Sequence, residues 1–137
     1  MITIEQIKTG EVLAIAHCIR KEVFVIEQNC PEEIEWEFEE ESTHYIAKVN
    51  NVPVGTARWR STKNGIKLER FAVVKNFRKQ NVGEALLLKI IEDTNQFEKK
   101  RYLHAQLSAK FFYLKYGLMP IGECFWEGGI EHVKMEL

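Results

Sequence analysis

Apolar positions along this chain keep time with strands and helices in turn. Ile2, Ile4 and Ile7, with Thr3 between, mark a short strand over Met1 to Ile7. Thr9-Gly10 then opens a helix from about Glu11 to Val25, whose stripe is Val12, Leu13, Ala16, Ile19, Val23 and Ile26, with Lys21 and Glu22 on the other side. Asn29-Cys30-Pro31 stops regular structure. Thr43 to Val49 and Val54 to Trp59 form a hairpin about Asn50-Asn51, with Pro53 near the start of the return strand, where a missing N–H costs least. Lys63-Asn64-Gly65 is a second turn. Ile66 to Val74 follows as a third antiparallel strand, almost wholly apolar toward its end and so central and covered. After a basic stretch, Lys75 to Asn81, a helix runs from about Val82 to Phe97 on Ala85, Leu86, Ile90 and Phe97. Tyr102 to Leu107 is a strand, Ser108 caps a helix that stops at Gly117, and Leu118 to Phe125 and Ile130 to Leu137 close the chain across Gly128-Gly129. Helices alternating with a mostly antiparallel sheet place the chain in the α+β class.

The 137 residues fit a single domain, and 45% apolar with 28% charged residues describes a globular protein able to bury a core without metal or disulfide staples. Lys plus Arg number 19 against 20 Asp plus Glu, so no basic excess points to nucleic acid, and Trp36, Trp59 and Trp126 sit in no basic, aromatic-interleaved patch. Cys18, Cys30 and Cys124 are odd in number and widely spaced, which suits free thiols in a reducing compartment. With no signal-peptide core and no membrane-spanning apolar run, the expected location is cytoplasmic. His17, His44, His104 and His132 show no metal-ligand spacing, so no metal is expected.

One segment changes the picture. Glu32 to Glu41 holds seven Glu in ten positions, interrupted by Ile34, Trp36 and Phe38. It is either a solvated loop pinned by its aromatics or a flap that attracts a cationic acceptor such as an amine, and the two readings are compatible.

The stretch Arg78-Lys79-Gln80-Asn81-Val82-Gly83-Glu84 joins the end of an apolar strand to a helix start. The first helical amides lack internal acceptors and carry the positive end of the helix dipole, which suits a pyrophosphate. Gly83 allows close approach, Asn81 enters the left-handed region at low cost, and Arg78 and Lys79 add positive charge. The same features also suit an ordinary strand-to-helix connection.

Here the chain resembles the GNAT superfamily of N-acetyltransferases. Its acyl-CoA signature is Gln or Arg, two residues, Gly, one residue, then Gly or Ala; Arg78 to Gly83 occupies it, with Asn81 where the family usually has Gly. Val23-Phe24-Val25-Ile26-Glu27-Gln28 with Pro31, Trp59-Arg60, Gly65 to Val73, His104-Ala105-Gln106, Ala109, Phe112-Tyr113, Lys115, Gly117-Leu118, Gly129-Ile130, His132-Val133 and Met135 resemble the small ElaA/YjcF-like branch. The resemblance covers about residue 17 to the C-terminus.

It implies two splayed central strands, Leu68 to Val74 and Tyr102 to Leu107, with acetyl-CoA between them. Pantetheine would pair with the backbone at Phe71, Ala72 and Val73, and the pyrophosphate would sit on the amides of Arg78, Lys79, Gln80, Asn81, Val82, Gly83 and Glu84. The implied reaction is direct acetyl transfer to a primary amine of a small molecule, with a backbone N–H near Val73 polarising the thioester carbonyl. A noncatalytic acyl-CoA-binding or regulatory module and a protein N-acetyltransferase are the alternatives. A homodimer through the C-terminal strands is compatible with the family, and so is a monomer.

For catalysis, family position selects Tyr113 as proton donor to the departing thiolate, against a role in packing with Phe111, Phe112 and Tyr116. Tyr116 is the fallback. Glu69 is either a base raised by burial or the partner of Arg70 or Arg60. His104 is either a base or a half-buried structural histidine, and a water chain could replace both. Glu27 and Gln28 border the implied acceptor pocket, or tie helix to sheet. Arg58 and Arg60 share one side of their strand and either hold an anionic group of the acceptor or pair with acidic residues. Cys124 has no base at a readable spacing and is not a nucleophile candidate.

Overall fold

The strands pair into one sheet. In the computed structural model, which describes residues 1–7, 10–28 and 41–137, they are β1 (Ile2–Ile7), β2 (Thr43–Val49), β3 (Val52–Thr62), β4 (Gly65–Val73), β5 (Arg101–Gln106), β6 (Met119–Glu127) and β7 (Ile130–Glu136). Their spatial order is β1-β2-β3-β4-β5-β7-β6, antiparallel throughout except between β4 and β5. The helices are α1 (Gly10–Arg20), α2 (Val82–Thr94) and α3 (Lys110–Lys115), so the class is α+β as expected. Most of the acidic segment, Glu32 to Glu40, lies outside the described residues.

Turn chemistry sets the hairpins. Asn50 and Asn51 have φ of 51° and 68°, and Gly128 and Gly129 have 59° and 77°, the paired positive φ that matches strand twist in two-residue loops. The second meander turn differs from the sequence expectation. Its loop is Lys63-Asn64, and Gly65 already belongs to β4 at φ 129°. A Cβ there would stand 2.2 Å from the carbonyl oxygen of Lys100, so glycine is required by the chain entering β5.

Alternation along the strands divides the two faces. Tyr45 and Ala47 on β2 join the main core with Ile66, Leu68, Leu86, Leu87 and Ile90, whereas Ile46 between them packs with Ile7 and Ala16. Helices α2 and α1 therefore cover opposite faces. Leu86, Leu87 and Ile90 are fully buried, and each such side chain contributes about 1.5–3 kcal/mol. Helix α2 ends at Thr94, short of the expected Phe97, which instead lies 38% exposed with its ring 5.5 Å from that of Trp59.

Helix α1 does not simply stop. It widens into a π-helical turn, Lys21–Glu27. Ala16, Ile19 and Val23 stay buried as the periodicity predicts, but the wider winding carries Ile26 off the stripe, and it is 69% exposed. Ser108 also departs from expectation: it lies inside a 3₁₀ turn, Leu107–Ala109, that leads into α3, and no side chain caps either segment.

Candidate active site

The site begins where two neighbouring strands part. β4 and β5 pair only at Ile66 with Arg101 and Lys67 with Tyr102. Beyond that point β4 continues beside β3 and β5 beside β7. Thr56 pairs with Ala72 and Arg58 with Glu69, so Arg70 and Phe71 together oppose Ala57 in a bulge, with Arg70 at φ 58°. A bulge adds local twist, which carries the end of β4 away from β5. The gap is a cavity of about 380 Å³. Its walls include Lys67 to Val73 of β4, Leu103, His104 and Gln106 of β5, Phe112 and Tyr113 of α3, and Gln28 after the π turn.

A second hollow of about 340 Å³ shares Val73, Arg78 and Phe112 with the first, so the two adjoin. It is lined by Lys79, Asn81, Val82, Gly83 and Glu84 on one side and Lys115 and Tyr116 on the other. Asn81 adopts φ 66°, ψ 18°, the left-handed geometry anticipated for it, and Lys79 is left-handed too at φ 64°. The first α2 hydrogen bond runs from the Ala85 N–H to the Asn81 carbonyl at 3.0 Å, which leaves the N–H groups of Val82, Gly83 and Glu84 without an intrahelical acceptor. The Glu84 carboxylate, which would oppose an anion, lies near the Tyr116 hydroxyl, whose pKa it raises. These donors fit a pyrophosphate.

Three candidate proton-transfer groups line the larger cavity. Tyr113 is 8% exposed, held edge-on by Phe71 at 6.1 Å and Phe112 at 5.1 Å between ring centroids, and burial pushes its phenol well above the usual range. Glu69 is clamped: Arg58 donates to one carboxylate oxygen through both Nε and a terminal nitrogen, and Arg60 Nε donates to the other at 2.6 Å. Burial alone would raise this carboxyl, but the two guanidiniums and nearby Lys67 reverse the effect and hold it below the ordinary value. His104 Nδ1 lies 3.1 Å from Glu127 Oε2, and its ring stands edge-on to Phe125 at 4.9 Å. The Glu127 carboxyl is held down to about 2, chiefly by that hydrogen bond.

Residues 5–137 match the acetyltransferase (GNAT) domain family. The chain belongs to the GNAT family. It is an acetyl-CoA-dependent acetyltransferase that acts on an amine. It is 39% identical to the uncharacterized N-acetyltransferase YjcF of Bacillus subtilis over 93% of this chain and 94% of that protein. It is 31% identical to the protein ElaA of Escherichia coli over 85% and 81% respectively. The crystal structure of Escherichia coli ElaA superposes with a TM-score of 0.86 at 27% identity, covering 99% of both chains. An aminoglycoside 6'-N-acetyltransferase complexed with coenzyme A shares the fold, with a TM-score of 0.77 at 14% identity over 98% and 96%. Among the described residues no helix is long and apolar enough to cross a membrane, and no group of three His, Cys, Asp or Glu could hold a metal.

Within this GNAT domain, several expected site residues have other partners. The base reading of Glu69 is corrected by its two arginines; the ion-pair alternative holds, with Arg58 and Arg60 rather than Arg70. Arg60 serves Glu69 and does not line the cavity. Glu27 is not in the acceptor wall either: it pairs bidentately with Arg78 at 2.7 Å, and Arg78 Nε also donates to the Val73 carbonyl at 2.8 Å. Arg78 therefore fixes the loop against β4 and the π turn. Gln80 lines neither hollow, its side chain donating to the Asn76 carbonyl at 3.4 Å, and Val82 has its side chain in the core, leaving its backbone for a ligand. Gln28 does reach the cavity and accepts from Gln106 at 3.0 Å. Phe111, weighed as core, is 79% exposed. Sequence reasoning missed Glu127 and Lys67 as cavity residues. Lys67 lies within the β4 motif itself, where alternation with Glu69 would have flagged it; Glu127 offers no local signal.

Proposed function

We propose that the protein transfers the acetyl group directly from acetyl-CoA to the primary amine of a small molecule, and that residues 1–137 act as one catalytic domain. The divergence of β4 from β5 after Lys67, with Tyr113 against the gap, carries this reading. The backbone of Phe71, Ala72 and Val73 would hold the pantetheine arm, because the β4 edge facing β5 has no strand partner there among the described residues. The N–H groups of Val82, Gly83 and Glu84 would take the pyrophosphate, with Lys79 and Lys115 as cationic support. Bound acetyl-CoA supplies the activated acetyl group. Tyr113 would donate a proton to the departing sulfur, a task for which its raised pKa keeps it protonated. His104 would take the proton of the acceptor amine, with Glu127 fixing its tautomer. Glu69 takes no part in proton transfer. A cytoplasmic location agrees with use of acetyl-CoA.

Calorimetric titration with acetyl-CoA, desulfo-CoA and free adenine nucleotide, followed by CoA release with a panel of small amines, tests the reading. One-to-one binding of acetyl-CoA and amine-dependent CoA release support it. Absence of binding sinks it.

A further inference from the structure

Charged groups in the cavity wall mostly have close partners of opposite charge among the described residues. Glu69 is held by Arg58 and Arg60, Glu127 by His104, and Arg78 by Glu27. Arg70 has interactions of its own. Lys67 differs. It is half-buried, lines the cavity, and makes no ion pair or hydrogen bond through its ammonium among the described residues. Glu69 and Glu127 attract it from farther off, but both already have close partners. An ammonium partly desolvated beside no close counter-ion is costlier than one in open water, and here burial draws its pKa down. An anion placed in the cavity would offset that cost.

Position narrows what the anion belongs to. Lys67 pairs with Tyr102 at the closed end of the cleft, and His104 is two residues beyond Tyr102 on the same face of β5. Two residues of strand span about 7 Å. A group held at Lys67 is therefore a short molecule's length from a group held at His104. One ammonium flanked by two carboxylates suits a singly charged carboxylate better than a dianionic phosphate.

We propose that the acceptor is an amine that also carries a carboxylate, as an amino acid does, and that Lys67 binds the carboxylate. This rests on the acetyl-transfer reading above.

The test measures kcat/KM at saturating acetyl-CoA for glycine, β-alanine and leucine, each against its primary amide or decarboxylated amine. Wild type is compared with Lys67→Met and Lys67→Arg. Because the readout is a ratio of two substrates on one enzyme, partial loss of folded protein cancels. Wild type should prefer the carboxylated member of at least one pair by about 10- to 100-fold, the discrimination expected of a hydrogen bond between charged groups. Lys67→Met should bring that ratio close to one, and Lys67→Arg should retain most of it. Equal or better turnover by wild type of the members that lack the carboxylate would overturn the carboxylate inference while leaving acetyl transfer standing. So would a preference that survives in Lys67→Met. Acetyl-CoA binding with no CoA release for any amine would remove both readings.

Discussion

His104 and Glu127 meet at 3.1 Å although their strands are not neighbours, because β7 runs between β5 and β6. The register of β6 shifts between Ile121 and Phe125, and past that irregularity Phe125 and Glu127 reach back over the sheet to His104. A carboxylate on Nδ1 fixes the tautomer that leaves Nε2 able to accept a proton. With its carboxyl held to about 2, Glu127 stays an anion throughout any practical assay range. His104→Gln is expected to lower kcat by about 10²–10⁴-fold, the usual contribution of a positioned base. Glu127→Gln should lower kcat by less, leave KM for acetyl-CoA unchanged, and be partly rescued by Glu127→Asp. Steady-state kinetics with saturating amine would decide; a loss confined to acetyl-CoA KM in both variants would remove His104 from proton transfer.

Tyr113 gives a cleaner separation of packing from chemistry. Its ring contacts with Phe71 and Phe112 survive in Tyr113→Phe, and only the hydroxyl is lost. Stability should change by no more than about 1 kcal/mol, the net worth of an ordinary hydrogen bond. The rate of CoA release should fall by roughly 10²-fold or more if the phenol protonates the leaving sulfur. Thermal melts and turnover on the same preparations test this, and unchanged turnover would mean that the proton comes from elsewhere.

These residues differ in how far the chain announces them. Period-2 runs and the Asn50-Asn51 and Gly128-Gly129 turns announce the hairpins, because side-chain alternation and positive φ are local properties. The left-handed Asn81 was legible for the same reason. The insertion of β7 between β5 and β6 was not, since spacing along a chain does not encode spatial order, and with it went Glu127. The partners of Glu69 and Glu27 depended on cross-strand register and on the π turn, which moves Glu27 toward Arg78. Charges of opposite sign at plausible distances were visible in the sequence; which pairs close was not.

Asn81 tests the phosphate loop. A left-handed conformation costs a residue with an ordinary Cβ about 1–2 kcal/mol, and Asn and Gly less. Asn81→Gly should therefore keep acetyl-CoA affinity within about threefold, whereas Asn81→Ala should weaken it by up to about tenfold, since part of the strain must be met on forming the bound loop. Calorimetric titration of both variants checks the order. Equal weakening by Gly and Ala would point to the Asn81 side chain as a ligand contact instead of its backbone geometry.

Two carboxylate–arginine pairs should behave oppositely. The Glu27–Arg78 side chains are 36% and 37% exposed, so solvent screens their attraction, and Glu27→Gln should cost less than about 1 kcal/mol. Glu69 and Arg58 are 7% and 1% exposed, and replacing the carboxylate removes a close, buried charge partner of the guanidinium. Glu69→Gln should cost about 3–5 kcal/mol in urea denaturation. The pH dependence follows from the direction of the shift. Glu69 is held below its ordinary value in the fold, so the unfolded chain binds its proton more readily, and stability from the pair is fully present above that ordinary value, near about 4.3. It is lost as pH falls through the lower folded value, because both states are then protonated. The melting-temperature gap between wild type and Glu69→Gln should accordingly be widest near neutrality and narrow on acidification below about pH 4.3. A gap that stays constant down to acid unfolding would show that the carboxylate contributes by shape and hydrogen bonding and not by charge.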